Sequence, residues 1–194
     1  MKVSWPTLLE EIARCESCPL CHGIQNKVPG QGDADARLML IGEGPGAEED
    51  RQGLAFVGPA GRLLTNMLSA ISLSRDEVYI ANVVKCRPPN NRVPTQEEAD
   101  QCKAFLRAQT ALVRPQVILL LGSTALRCVI SPDARITRMR GQWIERKGIW
   151  FMPTYHPAAL LRDPDKKRDA WHDLKMVRDK MAELGDKRIE RSSP

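Results

Sequence analysis

The sequence predicts an α/β fold, a three-layer αβα sandwich with a central four-stranded, mainly parallel sheet, and three observations carry that expectation. Four short aliphatic runs, residues 38–41, 78–84, 117–121 and 149–152, have the length and β-branched or apolar content of buried strands. Helical patterns fall between them, and such alternation builds a parallel sheet covered on both sides. Each unusual loop follows one of the four runs, which is where ligands sit in open parallel sheets.

In chain order, the first element is a helix from near Pro6 that carries Leu8, Leu9 and Ile12 into Cys15. The first strand runs into Gly42-Glu43-Gly44-Pro45-Gly46-Ala47-Glu48-Glu49-Asp50. Three glycines let backbone N–H groups approach a ligand where a Cβ would intrude, and Pro45 stiffens the turn. No Lys-Ser or Lys-Thr follows, as a Walker-type loop requires, and four acidic side chains in nine residues repel phosphate. The ligand expected there is neutral, or partly cationic in its transition state. A helix over 61–71 places Leu63, Leu64, Met67, Leu68 and Ile71 on one face, and one over 95–113 opens with a Thr95 and Glu98 capping box. A short helix over 125–130 follows the third strand, and a long charged helix over about 165–184 closes the fold. One domain is expected over residues 1–184, with a frayed tail over 185–194.

The charge balance is 29 basic against 24 acidic residues, or +5, with basic clusters at 85–92, 135–147 and 162–168 that suit a polyanionic partner. The apolar run at 117–121 is far short of a membrane span, and Glu10 and Glu11 stand where a signal peptide is apolar. A cytoplasmic protein is therefore expected. Six cysteines in that compartment read as metal ligands or buried apolar residues rather than disulfides. Cys15 and Cys18 form a C-x2-C pair, and Cys86 and Cys102 can complete an all-thiolate site. Cys21 is a rival ligand and Cys128 a small core residue, and spacing alone leaves zinc and an iron-sulfur cluster equally open. His156 lies after the fourth strand and before Pro157, which disfavours helical geometry at the histidine and suits a catalytic donor.

Gly42-Glu43-Gly44-Pro45-Gly46 with Glu49-Asp50, Gly53 to Gly58 around Phe56, Asn82 with Lys85-Cys86-Arg87-Pro88-Pro89-Asn90-Asn91-Arg92, and Thr154-Tyr155-His156-Pro157-Ala158-Ala159-Leu160-Leu161-Arg162 together resemble the family 4 uracil-DNA glycosylases. That family is the iron-sulfur branch of the uracil-DNA glycosylase superfamily. The resemblance spans residues 15–162, with several motifs in the same order.

The resemblance implies a monofunctional enzyme that hydrolyses the N-glycosidic bond of uracil in DNA. It assigns Cys15, Cys18, Cys86 and Cys102 to a structural 4Fe-4S cluster. Phe56 is implied to stack on the flipped base and Asn82 to read its Watson–Crick edge, within a uracil pocket that includes Gly42, Glu43 and Gly44. His156 stabilises the departing uracil anion, and Glu43 and Glu49 hold the water or the cationic sugar, with the division between them open. Leu160 is the implied DNA wedge, and Arg87, Asn91, Arg92 and Arg162 the implied backbone contacts. Expected partners are uracil-containing DNA, single- or double-stranded, and no membrane; a monomer is expected. A non-catalytic DNA-binding or redox-sensing module and a zinc hydrolase of free nucleosides are the competing classes. The first predicts loss of His156, Asn82 or Phe56, which this chain retains, and the second has no need of Leu160 or the basic loops.

Overall fold

A computed structural model describes residues 4–185. Its sheet has six strands in the order β1-β3-β2-β4-β6-β5: β1 (Gln31–Gly32), β2 (Leu38–Gly42), β3 (Tyr79–Asn82), β4 (Val117–Leu121), β5 (Ile144–Arg146) and β6 (Ile149–Thr154). The helices are α1 (Trp5–Arg14), α2 (Ala47–Gln52), α3 (Pro59–Ser69), α4 (Gln96–Val113), α5 (Gly122–Val129), α6 (Ile136–Met139), α7 (Pro157–Arg162) and α8 (Lys167–Glu183). The four anticipated strands form the parallel centre, so the mainly parallel sheet stands.

Strand count and boundaries need correcting. Two antiparallel edge strands join the four: β1 pairs Gln31 with Ile80, and β5 pairs Glu145 with Trp150. Both are too short and polar for an alternation signal, and short charged strands blunt the edges of a sheet. The ladder of β3 is shorter than residues 78–84, although Val83 N–H still donates to Gly42 O at 2.9 Å. By contrast β6 runs on through Pro153 to Thr154. The ladder with β4 continues through Pro153, whose carbonyl accepts from Gly141 N–H at 3.0 Å on the other side, beyond the end of β5, so its missing N–H costs no ladder bond. Helix α5 starts at Gly122 rather than 125, and α3 at Pro59 rather than 61. Of the tail expected over 185–194, residues 186–194 lie outside the described residues.

The period of two along the strands sorts the core into two layers. Leu38, Leu40, Leu119 and Leu121 pack with Leu64, Leu68, Leu174 and Val177 from α3 and α8. Met39, Ile41, Ile118 and Leu120 face the other side with Cys102, Leu106 and Leu126 from α4 and α5. Every residue of β2 and β4 is buried because both faces are covered, which explains why these strands read as unbroken apolar runs. Thr95 caps α4, accepting from Glu98 N–H at 3.2 Å while Glu98 accepts from Thr95 N–H at 2.8 Å.

From β2 the chain crosses to β3 on one side, and β4 then pairs on the other side of β2. The carboxyl ends of β2 and β4 thus flank a topological switch point, the place where helices diverge and leave a crevice. The loops after β2, β3, β4 and β6 all open at that end.

Candidate active site

A cavity of about 840 Å³ occupies this crevice, and Glu43, Glu49, Phe56, Asn82 and His156 all line it. At its base a Cβ on Gly42 would stand 2.5 Å from both Asn82 Oδ1 and Phe56 Cζ. Only a glycine lets the amide and the ring close on the strand end. Asn82 is 2% exposed, and its Oδ1 is a buried acceptor with no hydrogen-bond partner among the described residues. An orphaned buried acceptor costs about 1–3 kcal/mol, so a donor entering the cavity recovers that cost.

His156 caps α7, its Nδ1 accepting from Ala158 N–H at 3.1 Å. Burial pushes its pKa down from 6.5 to about 4, and Arg162 adds to the fall while Glu49 opposes it. The ring is therefore neutral at neutral pH. With Nδ1 accepting, the single ring proton resides on Nε2, which becomes the free donor. The Phe56 and His156 rings lie 5.6 Å apart at 32°, so an apolar face and a polar donor border the same space.

The acidic loop divides its four carboxylates among different tasks. Glu48 pairs with Arg51 at 2.6 Å on the surface of α2. Asp50 is buried and accepts from the N–H groups of Gln25 and Asn26 at 2.9 and 3.2 Å, fastening the segment after the first cysteines. Glu49 accepts from three backbone N–H groups: Gly46 at 3.1 Å, Val57 at 2.9 Å and Gly58 at 2.8 Å. Glu43 accepts from Thr124 Oγ1 across the switch point through Oε2 alone, which leaves Oε1 without a hydrogen-bond partner among the described residues.

At the rim the expected wedge needs correcting. Leu160 is 2% exposed and packed in the core layer with α3, whereas Leu161 is 45% exposed and lines the cavity. Because α7 starts at Pro157, directly after His156, position 160 turns inward and position 161 points about 100° away. Exposed Val93, at 59%, forms the facing rim. Of the implied backbone contacts, Arg162, Asn91 and Arg92 line the cavity. Arg87 does not line it, and its Nε donates to Asn91 Oδ1 at 2.8 Å. Arg92 forms a fork with Glu98 at 2.7 and 2.8 Å, so its charge is already partly matched. Thr124 and Arg127 also line the cavity and were not anticipated; both follow the Gly122-Ser123 strand end by less than two helical turns, which is the signal that could have found them.

A second, narrow cavity is bordered by Cys15, Cys18, Cys21, Cys86 and Cys102 with Lys27 and Lys85. The cysteines come from the end of α1, the turn after it, the loop after β3 and the second turn of α4. Burial first, and then neighbouring Cys102, Cys18 and Cys15, push the Cys86 thiol up to about 12. No three His, Cys, Asp or Glu side chains among the described residues converge as tightly as one metal ion needs. Thiolates placed around this cavity would repel one another unless a cationic group lay between them, so these cysteines could hold a metal centre there. Cys128 lies elsewhere, half-buried on α5 against the second core layer. Lys85, read within a basic cluster, is buried instead, its Nζ donating to Asn82 O and Gln109 Oε1, both at 2.7 Å.

Comparison with known proteins bears on both cavities. The family model of the Uracil DNA glycosylase superfamily matches residues 29–175. A Type-4 uracil-DNA glycosylase of Thermotoga maritima is 47% identical over 158 residues, covering 79% of this chain and 81% of the relative. Another of Sulfurisphaera tokodaii is 41% identical, covering 88% of this chain and 81% of the relative. A Type-5 uracil-DNA glycosylase of Pyrobaculum aerophilum is 35% identical over 69% of this chain and 66% of the relative.

Proposed function

This chain belongs to the uracil DNA glycosylase superfamily, and from that membership we propose that it hydrolyses the N-glycosidic bond of uracil in DNA, leaving free uracil and an abasic site. The observation that carries the residue assignment is the partnerless Asn82 Oδ1 at the base of a cavity bordered by Phe56 and a neutral His156.

A target base is reached by flipping it out of the stack, at a cost of a few kcal/mol. Stacking on Phe56 returns about 1–3 kcal/mol of that cost without choosing among bases. Asn82 makes the choice: uracil N3–H supplies the donor that Oδ1 lacks, and Nδ2 donates to uracil O4. Cytosine carries no hydrogen on N3 and presents an amino group where O4 stands, so both contacts fail together.

Bond cleavage leaves negative charge on the departing uracil and positive charge on the sugar. Nε2–H of His156 donates to uracil O2, and a neutral donor serves here because it stabilises the anion without first losing a proton. On the sugar side we assign the water and the developing cation to Glu43, whose Oε1 is open, and assign Glu49 to holding the loops. Leu161 replaces Leu160 as the wedge filling the gap in the helix, with Arg162 and Arg127 contacting phosphates. Gly42 and Gly44 keep the loop wall thin, and Arg87, Asn91 and Arg92 form its basic edge.

Cys15, Cys18, Cys86 and Cys102 would hold a 4Fe-4S cluster, which when bound supplies a structural tie between the N-terminal segment and the loop after β3. The chain is proposed to act as a cytoplasmic single-domain monomer on single- and double-stranded DNA. No described helix is long and apolar enough to cross a membrane. Incubation with uracil-containing oligonucleotides followed by alkali tests the activity; absence of strand scission on both single- and double-stranded substrate would sink it.

A further inference from the structure

Phe56 has a left-handed backbone, φ 53°, a conformation that a bulky aromatic residue rarely adopts and that persists only where its surroundings enforce it. Polar side chains from three separate parts of the chain do so. Gln31 Oε1, on β1, accepts from Ala55 N–H at 3.0 Å. Glu49 Oε1, on α2, accepts from Val57 and Gly58 N–H. Arg75, in the turn between α3 and β3, spans the remaining carbonyls: Nη2 donates to Ala55 O at 2.6 Å and Nη1 to Phe56 O at 2.9 Å. The first turns of α3 press on the same carbonyl, since a Cβ on Gly61 would lie 1.8 Å from Phe56 O.

We propose that Arg75 is a positioning residue for base recognition, holding Phe56 in its left-handed conformation so that the ring stands ready against the cavity. This role rests on Phe56 as the stacking surface proposed above. The planar fork of a guanidinium matches two successive carbonyls in a way that a lysine or an uncharged side chain does not. Burial of this charge is unfavourable, and Asp76 and Glu49 offset it. Glu49 thus faces Arg75 across the strap of residues 55–58, one holding its N–H groups and the other its carbonyls. Without Arg75, Phe56 relaxes to the ordinary β or α region and the ring leaves its place beside Asn82 and His156. Arg75 does not line the cavity, and besides the two carbonyls its Nη1 donates to Thr65 Oγ1 at 3.5 Å, so its effect on a bound base passes through the strap that carries the ring.

The test is a double-mutant cycle of Arg75→Ala with Phe56→Ala, reading single-turnover kcat and KM on a uracil-containing oligonucleotide, with thermal melting recorded for every variant. Phe56→Ala is expected to lower kcat/KM by about 5- to 150-fold, the range of base–aromatic stacking, and Arg75→Ala by a large part of the same factor. Added to Phe56→Ala, Arg75→Ala is expected to change kcat/KM by less than about twofold, because the ring it positions is gone. Arg75→Lys, with one point of donation, should fall between wild type and Arg75→Ala, and serves with Phe56→Ala in the same cycle should Arg75→Ala not fold. Equal losses from Arg75→Ala in both backgrounds, or no loss in the wild-type background, would overturn the positioning role while leaving the stacking role of Phe56 intact. An unchanged kcat/KM in Phe56→Ala would overturn both.

Discussion

The acid limb of the pH profile tests the assignment of His156 as a neutral donor. Its pKa is depressed from 6.5 to about 4, chiefly by burial. At pH 5 a histidine with a pKa of about 4 is roughly 90% neutral, whereas one at the ordinary value is roughly 3% neutral, a difference of about 30-fold in the donor form used here. Single-turnover excision on a uracil-containing duplex, which removes product release from the measurement, is expected to stay within about twofold from pH 7.5 to pH 5. His156→Gln, which offers a weaker and more mobile donor, should lower the rate by about 10²–10³ at every pH without creating a new inflection. The folded pKa lies below the unfolded one, so the unfolded chain binds the extra proton. The resulting stability is fully present above about pH 6.5 and is lost as pH falls toward 4, up to about 3 kcal/mol. In His156→Gln that part of the acid destabilisation should vanish. A wild-type midpoint near 6.5 that disappears in His156→Gln would refute the neutral-donor reasoning.

Glu43→Gln should slow excision with melting unchanged. Glu49→Gln should lower melting by several degrees as well, because three N–H groups lose a charged acceptor worth about 1–3 kcal/mol, or about 2–4 °C per kcal/mol in a chain of this size. Leu161→Ala should raise KM on duplex with little change in stability, while Leu160→Ala should cost about 2–5 kcal/mol in a denaturant titration, as a core truncation does. Asn82→Asp, which places an acceptor where cytosine carries its amino group, should weaken uracil excision and bring cytosine excision into view on a cytosine-containing duplex. Cys86→Ala should lose visible absorbance and iron together with melting temperature; retention of both would assign the fourth thiol to Cys21.

The parts of this protein readable along the chain are those whose cause is local. The aliphatic runs of β2 and β4 are continuous because both faces are covered, and the Thr95 and Glu98 capping box is a pattern of two residues three apart. Asn82 and His156 could be singled out because Asn82 ends β3 and His156 stands two residues past β6, each after a run visible in sequence. Sequence did not show that Leu160 is buried and Leu161 exposed, because the start of α7 at Pro157, after its cap His156, decides which leucine turns inward. The edge strands β1 and β5 exist only through their partners, and two or three polar residues leave no periodic trace.

The acidic loop shows why residue type alone could not separate its carboxylates. Glu43 and Glu49 have the same chemistry and are six positions apart, yet what distinguishes them is the set of groups each already binds. The three partners of Glu49 are backbone N–H groups at 46, 57 and 58, two of which exist in that place only because Phe56 takes a left-handed turn. No side-chain pattern encodes an N–H as a partner, so such an assignment emerges only from the folded backbone. Arg75 was invisible for the same reason, since its two short hydrogen bonds go to carbonyl oxygens. The two glutamates left undivided in sequence therefore separate into Glu43, with an open oxygen, and Glu49, which holds the backbone around it, while Asp50 fastens residues 25 and 26 and Glu48 pairs with Arg51 on the surface. Glu43→Asp sharpens that distinction: withdrawing the carboxylate by one methylene should break its contact with Thr124 and slow excision, whereas Glu49→Asp should be felt first in melting, since its three N–H partners stand at fixed positions. Equal catalytic losses with unchanged melting in both variants would return the two glutamates to a shared role.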